Sequence, residues 1–262
     1  MKTKKEILKR VSPEHFVNQG FEKEIYKGED NTFVGHFKKT RRMVSEGTYI
    51  DVPRKFQERE NFIKALYYVN NLAALLMPGV VRHIKQSGVT EKVDDENAEY
   101  VFASEGFINK SGYRNIDPRD ARAKKARELF SQKGFHFDKG IFDDNLAERP
   151  GSTTEAVYTD TVAPWWYKIQ GIAYEHTSTR GGITHGIGGF EQIYEPTALY
   201  DKEKIGLAIE ELTDPHQKTE AKAYLVRLEA LLAAEKKYWD DKKKASMPHE
   251  DSFWEEVEPY RK

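Results

Sequence analysis

The sequence predicts an α+β fold, strand-rich in its first part and helix-rich in its second. Three observations lead there. Short runs bounded by turn residues and carrying strand-forming side chains occupy residues 23–39, 80–84 and 99–103. Apolar residues recur at helical steps of three and four over 53–76 and again over 221–232. Apolar content is 38% and aromatic content 12%, a composition that disordered chains lack.

Taken in order, residues 3–19 read as one or two short helices, with Ser12 as N-cap and Pro13 at the first helical position. Residues 23–39 read as a hairpin: a strand over Glu24–Lys27, a turn over 28–31 and a second strand from Thr32 to Lys38. A helix follows over 53–76, with Pro53 at its start and Asp51 available as its cap. Phe62, Leu66, Val69, Ala73 and Leu76 form its apolar stripe, and Met77-Pro-Gly79 ends it. Val80–Ile84 and Glu99–Ala103 read as two further strands, joined by an acidic loop at 94–97. Asp117-Pro118 starts a helix that runs to Gln132 and stops at Gly134, a residue suited to the left-handed position past a helix end.

Residues 134–162 hold the richest chemistry. Asp138, Asp143, Asp144 and Asn145 precede a Pro150-Gly151 turn, and a short apolar strand then carries Asp160. Oxygen donors of this kind suit a hard divalent cation. The bland alternatives are a turn stabilised by Asp and Asn bonding their own backbone, and an Asp capping the end of a strand. Residues 163–200 read as loop, including Trp165-Trp-Tyr167, which suits core packing. The five-glycine run 180–189 reads as a mobile surface loop. With no strand directly before it, it is neither a Walker nor a Rossmann loop. Asp201 caps one helix, and Asp214-Pro215 starts a longer one whose face is Ala221, Tyr224, Leu225, Leu228, Leu231 and Leu232.

The totals set bounds. A length of 262 residues suits one large domain or two lobes. A net charge of −1 gives no case for nucleic-acid binding. With no cysteine, disulfides, thiolate catalysis and cysteine-based zinc sites are excluded. His176 and His185 fit no compact zinc spacing. No apolar run approaches the ~20 residues that span a bilayer, and no apolar segment of a signal peptide follows the basic start. The expectation is a cytoplasmic protein with no membrane partner.

The order of hairpin, helix, two strands, helix, Asp/Asn loop and Asp-bearing strand resembles the protein kinase-like fold, in particular its aminoglycoside phosphotransferase type. The resemblance covers roughly residues 20–162. It implies two lobes, residues 1–106 and 107–262, with ATP and magnesium as cofactors. It also implies transfer of the γ-phosphoryl group to a small-molecule or protein hydroxyl. Asn145 matches the catalytic-loop Asn and Asp160, in Tyr-Thr-Asp, the metal-binding Asp. Lys38 or Lys39 stands for the phosphate-binding lysine, Glu60 or Glu58 for the helix glutamate that orients it, and Ala103-Ser-Glu-Gly106 for the hinge. Asp138 or Asp143 stands for the residue that positions the hydroxyl.

The sequence departs from the pattern at two places. Position 140, five residues before Asn145, is glycine where a kinase has its Asp, although His136-Phe-Asp138 has the form of the usual tripeptide. No Gly-x-Gly-x-x-Gly stands near Gly20 or Gly28. Surface alternatives attach to the other candidates: a charged strand edge for Lys38–Arg42 and a helix-face pair of Glu60 with Lys64. Two other classes of function stay open. One is a non-catalytic kinase-like interaction or regulatory protein. The other is a metal-dependent hydrolase using the same carboxylates.

Overall fold

The computed structural model describes the chain at residues 13–19, 23–27, 32–37, 41–45, 48–51, 56–89, 100–105, 115–137, 145–148, 156–180 and 183–246. Its fold is α+β. Five strands form an antiparallel sheet in the order β1-β2-β3-β7-β6. They are β1 (Phe16–Gln19), β2 (Lys23–Lys27), β3 (Thr32–Phe37), β6 (Ile84–Val89) and β7 (Tyr100–Glu105). The hairpin expected at 23–39 is present, with Ile25 opposite Gly35 and Lys27 opposite Phe33. Strand β7 inserts between β3 and β6, so Val34 faces Ala103 and Ser104 faces Ile84.

Three points of the sequence reading are corrected in this region. A short 3-10 turn at Pro13–His15 leads into a strand at 16–19, where a helix was expected. The Phe16 ring packs edge-on to Tyr26 on the neighbouring strand, which draws the segment into the sheet. Arg41 and Arg42 open β4 (Arg41–Ser45), which pairs with β5 (Thr48–Asp51), so Asp51 lies opposite Arg41 in a ladder and does not cap a helix. Strand β6 starts at Ile84, not Val80. Val81 N–H bonds back to the Met77 carbonyl and the Val80 carbonyl accepts from Tyr158 N–H, so these residues belong to a turn.

Helix α1 (Phe56–Leu76) packs against β6 and β7. The expected stripe is buried at Leu66, Val69, Ala73 and Leu76. From Val69 to Ala74, however, every residue is buried, Asn70 and Asn71 included. This half of α1 is a core helix with neighbours on several sides, not an amphipathic one.

Helix α2 (Ala121–Gln132) begins at the Asp120 cap, three residues beyond the expected Asp117-Pro118 start. Asp117 instead accepts a hydrogen bond from Arg119 N–H in a local turn. The helix ends as predicted. Phe135 N–H reaches the Phe130 carbonyl, Gly134 N–H reaches Ser131, and Gly134 has φ +85°. This is the paired closure of a Schellman motif.

Strands β8 (Leu146–Glu148) and β9 (Ala156–Tyr158) pair antiparallel. Residues 163–200 are not loop. They hold β10 (Trp165–Arg180) and β11 (Ile183–Ala198), which pair with each other. A strand therefore does stand directly before the glycine-rich run, and most of that run is itself strand. Helices α3 (Lys202–Glu210) and α4 (Pro215–Ser246) follow as expected. Asp201 accepts from Glu203 and Lys204 N–H at 3.1 Å, and Asp214 from His216 N–H at 2.8 Å. Ala221 and Leu228 on the predicted face of α4 are fully buried.

The chain forms two compact units. The first comprises residues 1–165 and 198–231, the second 166–197 and 232–262. The core of the first includes Ile63, Leu66, Leu72, Phe130, Leu146, Trp165 and Ile205, all nearly inaccessible. In the second, Trp239 donates its indole N–H to the buried Glu235, and Lys242 lies 4.4 Å from the Trp239 ring centre. Among the described residues, no helix is long and apolar enough to cross a membrane.

Candidate functional site

Asn145, just before β8, and Asp160, two residues after β9, both lie at the open end of the strand pair. Leu146 faces Tyr158 in the ladder, so Asn145 falls opposite Thr159. Thr159 donates twice to the Asn145 carbonyl, from its N–H at 2.7 Å and its hydroxyl at 2.8 Å. Asn145 has φ +49°, a left-handed conformation that Asn adopts more readily than most residues. Asp160 is the next residue after Thr159, and both Asn145 and Asp160 are partly exposed. One Asp160 oxygen accepts from Thr161 N–H at 2.7 Å. That bond is the strand-end role of the bland reading, and it also fixes the carboxylate.

Three sets of contacts hold this end of the pair in place. Val80 accepts from Tyr158 N–H at 2.8 Å, which ties β9 to the turn after α1. Ile116 N–H donates to the Leu146 carbonyl at 3.0 Å and Asn115 bridges Ala147, adding an edge to β8. Beneath, Phe137 and Phe130 meet edge-on at 5.1 Å, and both pack on Tyr158, at 5.5 and 5.1 Å. His136 N–H is held by the Leu199 carbonyl at 2.9 Å. The described segment that ends at Phe137 thus packs on Tyr158 of β9, two residues before Asp160, which lies beyond the strand and not on it as expected.

Arg122 adds an electrostatic tie. Its guanidinium pairs with Asp120 at 2.6 Å and with Glu148 of β8 at 2.8 Å. Side-chain hydrogen bonds from Arg122, reinforced by its backbone N–H, pull the Asp120 carboxyl down from 3.8 to about 2. Hydrogen bonds to both carboxylates push the Arg122 guanidinium up.

Two side chains that the sequence reading passed over complete the surroundings. Asn70 accepts from Val162 N–H at 3.2 Å and donates to the Arg82 carbonyl. Asn71 makes a two-way pair with Ile84, accepting at 2.7 Å and donating at 3.0 Å. Successive Asn residues inside an apolar helix were the available signal, because buried amides persist where they are bonded. Trp165, expected as core, is 1% exposed and meets Phe62 edge-on at 5.8 Å.

The other candidates fall on residues or side chains that are not described. Glu58 and Glu60 lie in the first two turns of α1, where the structure describes the backbone and not these side chains. Lys38, Lys39, Asp138 and Asp143 lie outside the described residues. Among the described residues, no three His, Asp or Glu side chains gather as a metal cluster. Comparison with known proteins finds no matching family model, no matching curated protein and no matching solved structure.

Proposed function

We propose that this chain is a kinase-like phosphotransferase that moves the γ-phosphoryl group of ATP to a hydroxyl of a small molecule or protein. The observation that carries the reading is that Asn145 lies across from Thr159, the residue before Asp160, at one end of the β8–β9 pair. The order of elements supports it: strands, α1, β6 and β7, α2, then Asn145 and Asp160.

The donor set suits magnesium. An amide oxygen and a carboxylate are hard oxygen ligands, and magnesium takes few protein ligands, leaving its other positions to water and phosphate. In this role magnesium bridges and neutralises the phosphate oxygens of ATP. Asn145 and Asp160 hold the metal. Lys38 or Lys39 contacts phosphate, and Glu60 orients that lysine. Asp138 or Asp143 positions the acceptor hydroxyl and takes its proton.

A second reading, a non-catalytic kinase-like regulatory protein, is favoured by Gly140 at the position of the usual Asp. Thermal melting with and without millimolar MgATP separates the readings, since a ligand of the native state raises the midpoint. The phosphotransferase reading expects a rise that Asp160→Ala removes, together with ATP turnover. No rise in the wild-type chain sinks it, and a rise without turnover supports the regulatory reading.

A further inference from the structure

We infer that Asn70 is the positioning residue for Asp160, coupling helix α1 to the metal-binding segment; this deepens the function proposed above and rests on it. Asn70 is 2% exposed and sits in the run of α1 that is buried on all sides. Its amide bonds in two directions, to the Arg82 carbonyl just before β6 and to Val162 N–H, two residues after Asp160. The residues bracketing Asp160 are therefore held from different parts of the chain: Thr159 by Asn145, just before β8, and Val162 by α1. Asp160 itself bonds Thr161 N–H, inside that bracket. Cutting the Asn70 bond removes the hydrogen-bonded tie at one end of a four-residue span and leaves that end to the packing of Val162 alone, so the carboxylate is held less firmly in direction. A metal ligand displaced by about 1 Å loses much of its contribution.

Asn71 provides a matched control. It too is a buried Asn, and it bonds Ile84 and not the Asp160 segment. A merely structural role for Asn70 predicts that Asn70→Ala and Asn71→Ala behave alike. A positioning role predicts that they differ.

The experiment has two readouts on the full-length chain. Amide hydrogen exchange without ligand should show Val162 protected in the wild type. Asn70→Ala should speed its exchange at least tenfold, and Asn71→Ala should speed Ile84 instead. Should Asn70→Ala fail to fold, the wild type decides: Val162 must open with α1 residues 66–74 as denaturant rises. The second readout is MgATP affinity by calorimetry, expected to fall at least tenfold in Asn70→Ala and less than threefold in Asn71→Ala. Rapid exchange of Val162 in the wild type, or equal affinity losses in the two alanine variants, overturns the inference. Absence of MgATP binding by the wild type overturns the proposed activity instead, and the exchange readout still decides whether Asn70 holds the Asp160 segment.

Discussion

At Asn71 a buried side-chain amide meets a buried backbone amide face to face, each donating once and accepting once with Ile84. Such a pair offers the first residue of β6 both partners that a strand neighbour would have given it. Removing the side chain leaves a buried N–H and a buried C=O without partners, at about 1–3 kcal/mol each. Asn71→Ala should therefore lose roughly 2–6 kcal/mol in urea unfolding. Asn71→Leu should lose a similar amount, although it fills the space and is more apolar. If the leucine variant is as stable as the wild type, volume and not hydrogen bonding sets this position. Neither Asn70 nor Asn71 could be read as structural from spacing alone. Their identity says polar and their place in the helix says core, and only the bonds to Arg82, Val162 and Ile84 reconcile the two. Asn145 and Asp160 stand out in the sequence because they lie on either side of two short apolar runs separated by Pro150-Gly151. Lys38 was chosen for its place after a strand, and the described residues end at Phe37 on that side.

Helix ends carry the clearest element-scale logic. Gly134 combines a left-handed backbone with close approach. A Cβ there would lie 2.8 Å from the Asp201 carbonyl oxygen, 2.9 Å from Lys204 Cβ and 3.1 Å from Ile205 Cγ1. Gly79 has the same backbone hand, φ +84°, and open space around it. An L-residue in this region costs about 1–2 kcal/mol, and overpacking adds about 1–3 kcal/mol. Gly134→Ala should thus lose roughly 2–5 kcal/mol and Gly79→Ala roughly 1–2 kcal/mol, by the sum of those terms. Equal losses in chemical denaturation would mean that α3 shifts freely to admit the methyl group. Gly134, Asp201 and Asp214 were readable because capping is a local matter of one residue and its next few neighbours. The β10–β11 pair was not. Gly171, Gly186, Gly188 and Gly189 interrupt its pattern, and glycine inside a strand reads as loop unless the pairing partner is known. The start of β6 was misread for a related reason. Val80 and Val81 have strand-forming side chains, yet their backbone groups are taken by the turn after α1 and by Tyr158.

For the whole molecule, acid sensitivity follows from two carboxylates that sit at junctions between elements. Asp120 caps α2 and, through Arg122, ties it to Glu148 of β8. Glu210 ends α3 and pairs with Lys218 at 2.9 Å and Lys222 at 2.8 Å on α4. Hydrogen bonds from Lys222 and Lys218 lower the Glu210 carboxyl from 4.5 to about 2, as Arg122 does for Asp120. A carboxyl whose value is lower in the folded chain stabilises that chain above its ordinary titration range, and loses the effect as pH falls toward the folded value. For these two groups the window runs from about pH 4.5 down to about pH 2. The melting midpoint should therefore be nearly flat from pH 7 to 5 and drop steeply below. Both groups touch solvent, with side chains 27% and 58% exposed, so added salt should reduce the effect. The chain has 43 acidic residues against 42 Lys and Arg, so general charge repulsion also grows in acid. A double variant, Asp120→Asn with Glu210→Gln, separates the two causes. It should melt a few degrees lower at pH 7 and show a shallower decline between pH 4.5 and 2. If its decline runs parallel to that of the wild type, acid unfolding comes from the diffuse charge and not from these junctions.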